Sequence, residues 1–136
     1  MFEILEHTAD IGFRAHGSTL EELFQSAAEA LVSIALEVDE VSPKQPYPLA
    51  AVGEDVESLL VNWLSEVLFW LDGRHIAMRR FEVRELTPRR VTGHALGEPR
   101  SPERHHAKLL IKGVTYHQLR VWEDEHGWWA EVFLDI

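Results

Sequence analysis

The sequence contains no cysteine among its 136 residues. This absence excludes disulfide bonds, thiolate zinc sites and cysteine nucleophiles, and it agrees with a reducing compartment. No apolar run approaches the roughly 20 residues that a membrane-spanning helix needs. The first residues also lack the basic patch and apolar stretch of a secretory signal. We therefore expect a cytoplasmic protein without a membrane partner.

Basic residues are scarce, since 23 acidic side chains face 13 basic ones and the formal net charge is −10. Proteins that hold nucleic acids by charge need basic stripes that neutralise phosphates and release counterions. The composition therefore argues against direct binding of RNA or DNA through basic patches. An acidic chain of this kind is instead suited to a basic protein partner or to cations.

The familiar catalytic signatures are absent as well. The sequence has no GxGxxG fingerprint, no P-loop, no HExxH and no serine in a nucleophile elbow. A cluster of acids alone can serve metal-assisted hydrolysis. However, no general base or nucleophile is evident beside the acids described below.

The length and the ordinary globular composition, with 46% hydrophobic and 26% charged residues, fit one domain over residues 1–136. Period-two and helical spacings predict a single α+β domain, with two helices packed on one face of a mostly antiparallel sheet. We expect strands at 2–6, 11–16, 47–52, 76–86, 91–96, 108–114, 119–122 and 128–135, and helices at 20–35 and 56–71.

Three details of this prediction can be compared with the structure. The second helix has the wider apolar face and is expected to be the more buried of the two. Residues 97–106, with two prolines and several charges, are expected to form an exposed loop. His105 and His106 are expected to have no ligand-like partner there.

Two acids near opposite ends of the sequence are candidate metal ligands. Asp10 follows the first strand, and Asp135 is the penultimate residue, beside the α-carboxylate of Ile136. If the last strand is docked in the sheet beside the link that contains Asp10, oxygen donors from both ends suit a hard cation such as Mg²⁺ or Ca²⁺. The alternatives are that Asp10 is only a turn residue and that Asp135 is only a solvated terminal acid.

Other candidates have equally simple structural alternatives. His7 is a ligand, a general base beside Asp10 or a turn cap. Lys112 can steer an acidic group or a phosphate, or it is a solvated strand lysine, and His117 lies near it in the sequence. Asp55 is best explained as the N-cap of the second helix.

Several motifs, in order and over nearly the whole chain, resemble those of the archease family. They are His7-Thr8-Ala9-Asp10-Ile11-Gly12, Leu20-Glu21-Glu22-Leu23-Phe24, Gly53-Glu54-Asp55 before Leu59-Leu60-Val61-Asn62-Trp63-Leu64, Lys112-Gly113-Val114-Thr115-Tyr116-His117, and the terminal Phe133-Leu134-Asp135-Ile136. Gly113 stands where the family motif often has Ala, which is a mild departure.

This resemblance implies an accessory protein rather than an enzyme. Archeases act with the RtcB-type RNA ligase, promote guanylylation of the ligase and support its multiple turnover in tRNA splicing and RNA repair. The resemblance implies that Asp10, Asp135 and Ile136 bind a divalent metal and that Lys112 is functional, with RNA contacted only through the ligase. The alternatives are a free-standing metal-dependent phosphoesterase and a chaperone-like binding module.

Overall fold

The computed structural model describes residues 1–6 and 11–136, and it confirms the expected α+β class. Two helices, two short helical turns and eight strands alternate along the chain. The elements are β1 (Phe2–Glu6), β2 (Ile11–Gly17), α1 (Leu20–Ala35), a 3-10 turn (Val38–Glu40), β3 (Gln45–Val52), α2 (Val56–Leu68), a π-helical turn (Phe69–Gly73), β4 (Ile76–Thr87), β5 (Arg90–Pro99), β6 (Gly113–Val114), β7 (Arg120–Asp124) and β8 (Gly127–Asp135).

The strands are divided between two antiparallel sheets. The larger sheet has the order β1-β2-β8-β6, with β7 also paired to β8, and the smaller has the order β3-β5-β4. The last strand therefore lies inside the larger sheet, with β2 along one side and β6 and β7 along the other. This confirms that the final residues are docked rather than frayed. Strand β3 lies at the edge of the smaller sheet and pairs, within the described residues, only with β5.

Helix α1, not α2, is the more buried helix, so that prediction was wrong. It packs against β2 of the larger sheet and against β4 of the smaller one. Because the helix lies between two sheets, it also buries Ser26, Ala30 and Val32, which are outside the apolar stripe read from the sequence. The helices are joined in the core where the Trp63 indole donates to the Phe24 carbonyl oxygen over 3.0 Å.

The helix starts follow the expected capping chemistry. The Asp55 carboxylate accepts from the Ser58 amide over 2.8 Å, which confirms Asp55 as the N-cap of α2. At the other end α2 stops at Leu68 rather than Leu71, and a π-helical turn continues it to Gly73. None of the helices among the described residues is long and apolar enough to cross a membrane.

The strand expected over 108–114 is reduced to its last two residues, Gly113 and Val114. The first part of the segment instead caps the end of α1. The backbone amide of Lys108 donates to the Ala35 carbonyl over 2.8 Å, and its ammonium donates to the Ser33 carbonyl over 2.9 Å. These carbonyls lack intrahelical partners at a helix end, so satisfying them competes with strand formation.

Candidate functional site

The end of β8 brings together two of the regions named by the sequence motifs. Leu134 pairs with Ile11, the first residue of β2, and Asp135 pairs with Gly113 of β6. The backbone amide of Lys112 donates to the Asp135 carbonyl oxygen over 2.7 Å. Asp135 and Lys112 are therefore neighbours in the fold, although 23 positions separate them in the sequence.

A glycine in β2 allows close packing against β8, the strand that leads to Asp135. Gly12 pairs with Phe133, and a Cβ placed on Gly12 would lie 2.5 Å from the Val132 carbonyl oxygen and 2.7 Å from the Phe133 ring. Only a residue without a side chain lets the ring lie this close to β2. On the other side of β8, the amide and the hydroxyl of Thr115 both donate to the Phe133 carbonyl at 3.1 Å.

The charged groups at this end of the sheet are exposed and have no protein partner in the described part of the chain. Strand alternation places the Asp135 side chain on the same face as Phe133, away from the buried Leu134. Within residues 1–6 and 11–136, neither the Asp135 carboxylate nor the Lys112 ammonium forms a hydrogen bond or an ion pair.

The remaining candidates differ in how far the structure describes them. His7 and Asp10 lie outside the described residues. His117 is exposed in the connection between β6 and β7, and no hydrogen bond in the described part of the chain joins its ring to Asp135. Its role stays a prediction.

The donor chemistry of this site suits a hard divalent cation. Asp135 and the Ile136 carboxylate supply anionic oxygens, which Mg²⁺ and Ca²⁺ prefer, and both residues are exposed. Among the residues that the structure describes, no three His, Asp or Glu side chains are close enough to hold an ion. The ligand set of Asp10, Asp135 and Ile136 stays a prediction, because Asp10 lies outside the described residues.

A second polar centre lies in a region predicted to be an exposed loop, a prediction that is confirmed for Pro102, Glu103 and Arg104 but was wrong for Glu98 and His105. Strand β5 continues to Pro99, and both Glu98 and His105 are buried. One Glu98 oxygen binds the His105 ring at Nε2 over 2.9 Å and accepts from the Ser42 amide over 2.9 Å. The other accepts from the Arg104 guanidinium over 2.8 Å.

This buried centre is closed to external chemistry because every group in it already has a partner. The Ser101 amide donates to His105 Nδ1 over 2.8 Å, so the ring is neutral and its Nε2–H donates to Glu98. The Ser42 amide, together with His105, lowers the pKa of Glu98 from 4.5 to about 2. The centre joins the segment before β3 to the segment after β5.

The expectation that both loop histidines lack partners was therefore wrong. The His106 ring lies 2.8 Å from a Glu40 carboxylate oxygen, and its backbone amide also donates to Glu40. These bonds hold the pKa of Glu40 below its ordinary value. No local sequence pattern distinguishes Glu98 or Glu40 from the other acids, because the Ser42 amide that bonds to Glu98 and the His106 amide that bonds to Glu40 come from distant segments.

Comparison with known proteins shows the family to which this chain belongs. The family model described as "Archease protein family (MTH1598/TM1083)" matches residues 2–136. This chain belongs to the archease family. Among its relatives, the protein archease of Methanosarcina mazei is 38% identical over 139 residues, covering 99% of this chain and 95% of the relative. That of Pyrococcus abyssi is 39% identical, covering 99% and 98%.

Solved structures show the same fold. The solution structure of Methanobacterium thermoautotrophicum protein 1598 matches with a TM-score of 0.83 and 33% identity, covering 99% of this chain and 98% of that one. A Thermotoga maritima crystal structure, described as an archease and possible chaperone, matches with a TM-score of 0.60 and 24% identity over 97% and 94%. The second likeness concerns the fold alone.

Proposed function

We propose that this archease-family protein is a cytoplasmic accessory protein of an RtcB-type RNA ligase and not an enzyme itself. In this proposal it promotes guanylylation of the ligase and supports its multiple turnover in tRNA splicing and RNA repair. RNA is contacted through the ligase, because the chain carries a formal net charge of −10.

One observation carries the proposal. Strand pairing holds Asp135 beside the Lys112 backbone, and neither charged side chain has a partner in the described part of the chain. Exposed charges that are unpaired in the described part of the chain contribute little to the fold, which leaves them accessible to a ligand or a partner protein. Glu98 and His105 differ, since each is consumed by internal hydrogen bonds.

In this proposal Asp10, Asp135 and the Ile136 carboxylate hold a divalent cation, with Ca²⁺ and Mg²⁺ the best candidates. A bound cation would supply positive charge that offsets the acidic end of the sheet. Lys112 adds a second positive charge at the same end and is placed to meet an acidic or phosphate group of the partner. His7 and His117 are secondary candidates for contact with the ligase.

The decisive experiment measures guanylylation of the ligase by GTP with and without this protein. We expect stimulation by the wild type and its loss in Asp10→Ala and Asp135→Ala, with melting curves unchanged. Asp39→Ala is a matched control, because it removes an exposed acid that lies in the 3-10 turn and contacts Arg79 of β4 rather than β8. Full stimulation by both site variants would contradict the proposed metal site, and no stimulation by the wild type would contradict the proposed function.

The same preparations test the two alternative functions. A chaperone-like module, the description attached to the Thermotoga maritima structure, would protect unrelated client proteins from aggregation without any effect on the ligase. A metal-dependent phosphoesterase would hydrolyse a phosphoester in the absence of the ligase.

A further inference from the structure

Three aromatic rings form a row across the face of the larger sheet that points away from its buried core. His16 of β2 pairs with Trp129 of β8, and Trp129 pairs with Trp122 of β7. Directly paired residues project from the same face of a sheet, so the three rings stand side by side. The two indoles are nearly parallel, with centroids 6.2 Å apart, and the His16 ring lies 4.4 Å from that of Trp129.

Hydrogen bonds hold this aromatic row in place before any partner binds. The Trp129 indole N–H donates to Asp124 over 2.9 Å, and His16 Nε2 donates to the His126 carbonyl oxygen over 2.7 Å. Both indole rings remain half-buried rather than covered. Rigid aromatic side chains with accessible surface are the commonest anchors of protein interfaces, because little entropy is lost when they bind.

The neighbouring row of the same face already supplies a guanidinium to one of the indoles. Arg14, Glu131 and Arg120 follow the aromatic row in register, and Arg14 Nε donates to Glu131 over 2.8 Å. The Arg120 guanidinium carbon lies 4.4 Å from the centroid of the Trp122 ring. A guanidinium is thus already stacked on one indole of the row, which is a favourable cation–π arrangement.

The two arginines of the neighbouring row both pair with Glu131, and the hairpin at the end of the aromatic row is acidic. The hairpin that carries Trp122 also carries Glu123, Asp124 and Glu125, and all three are exposed. The Trp129 indole N–H, with the His126 amide, lowers the pKa of Asp124, so this acid is ionised at neutral pH. A phosphate backbone would be repelled here, whereas a basic protein surface is complementary to this hairpin.

We infer that the aromatic row is a docking site for an arginine-bearing surface of a partner protein, with Trp122 and Trp129 as anchors. The partner's guanidinium contacts the exposed part of the indole row, beside Arg120, and pairs with the hairpin carboxylates. The identity of that partner as the ligase rests on the proposed function. Strand β8 carries Trp129 and Asp135 on one face, six residues or roughly 20 Å apart, so one partner surface can reach both.

The first test does not use the ligase. The full-length protein is titrated with a capped octapeptide of alternating glycine and arginine, and indole fluorescence is followed. We expect a saturable change that Trp122→Leu removes, that Trp70→Phe retains, and that weakens as salt rises. Trp70 is a matched control because Arg74 stacks on it at 4.3 Å outside the aromatic row. The same response to a citrulline peptide, or no response, would overturn the inference.

The second test measures the affinity of the ligase for each variant by calorimetry. Loss of either tryptophan anchor, in Trp122→Leu or in Trp129→Ala, should weaken binding by about 30-fold. Two variants are used so that the test does not depend on whether Trp129→Ala folds. Equal affinity of wild type and Trp122→Leu would overturn the inference, as would binding of an octauridylate that depends on Trp122. If the wild type fails to stimulate guanylylation, the proposed function falls while the peptide titration still decides the inference.

Discussion

The buried centre around Glu98 and the exposed end of β8 both hold charged side chains, but they use them in opposite ways. At Glu98 each carboxylate oxygen has a partner, and both nitrogens of His105 are occupied. At the end of β8, Asp135 and Lys112 are held by backbone bonds while their charged groups have no partner in the described part of the chain. Buried polar groups that bond to one another, as Glu98 and His105 do, stabilise the fold. Exposed charged groups that have no partner in the described part of the chain, as at Asp135 and Lys112, remain accessible for binding.

The largest expected effect on stability comes from breaking the buried centre. Glu98→Ala should lower the free energy of unfolding by about 3 kcal/mol, because it leaves the Ser42 amide and the His105 ring without an acceptor. Chemical denaturation measures this change. Glu103→Ala, in the same segment but exposed, should stay within about 0.5 kcal/mol. An equal loss for both variants would show that Glu98 has no special role.

Acid should remove the same stabilisation gradually. The pKa of Glu98 is 4.5 ordinarily and about 2 in the fold, so its contribution is complete above pH 4.5 and is lost as pH falls toward 2. The unfolding free energy of the wild type should therefore fall more steeply over this range than that of Glu98→Gln, which cannot titrate. Parallel pH profiles of the two proteins would contradict this assignment.

A smaller loss is expected where the backbone supports the end of β8. Gly12→Ala should cost about 2 kcal/mol, because the new methyl group meets the Val132 carbonyl and the Phe133 ring. Gly113→Ala is the matched control on the other side of β8, since no atom lies within 4 Å of its added Cβ. Thermal melting of the two variants tests this, and similar melting temperatures would refute the close packing against Gly12.

The smallest expected effect on stability belongs to the candidate site itself. Asp135→Asn and Lys112→Met should each change the unfolding free energy by less than about 0.5 kcal/mol, because neither side chain has a partner in the described part of the chain. If the proposed metal site exists, Asp135→Asn should still weaken cation affinity by at least roughly tenfold, measured by calorimetry. A large destabilisation by either change would contradict the claim that these side chains, unlike Glu98, contribute little to stability.

Local patterns were sufficient where local chemistry decides the structure. Asp55 at the start of α2 predicted its cap, since a cap depends on residues three positions apart. Alternation predicted most of β4 and β8. The same reasoning failed for residues 108–112, because satisfying the last carbonyls of α1 competes with strand pairing there.

The sequence by itself determined the α+β class, the capped helix starts, and the candidate residues at the end of β8, because these depend on spacing and on short motifs. Only the tertiary structure decided that α1 lies between two sheets, that the Ser42 amide reaches the buried Glu98, and that Trp122, Trp129 and His16 form one row. Each of these depends on segments far apart in the chain, and strand register between such segments is set by packing rather than by any local pattern.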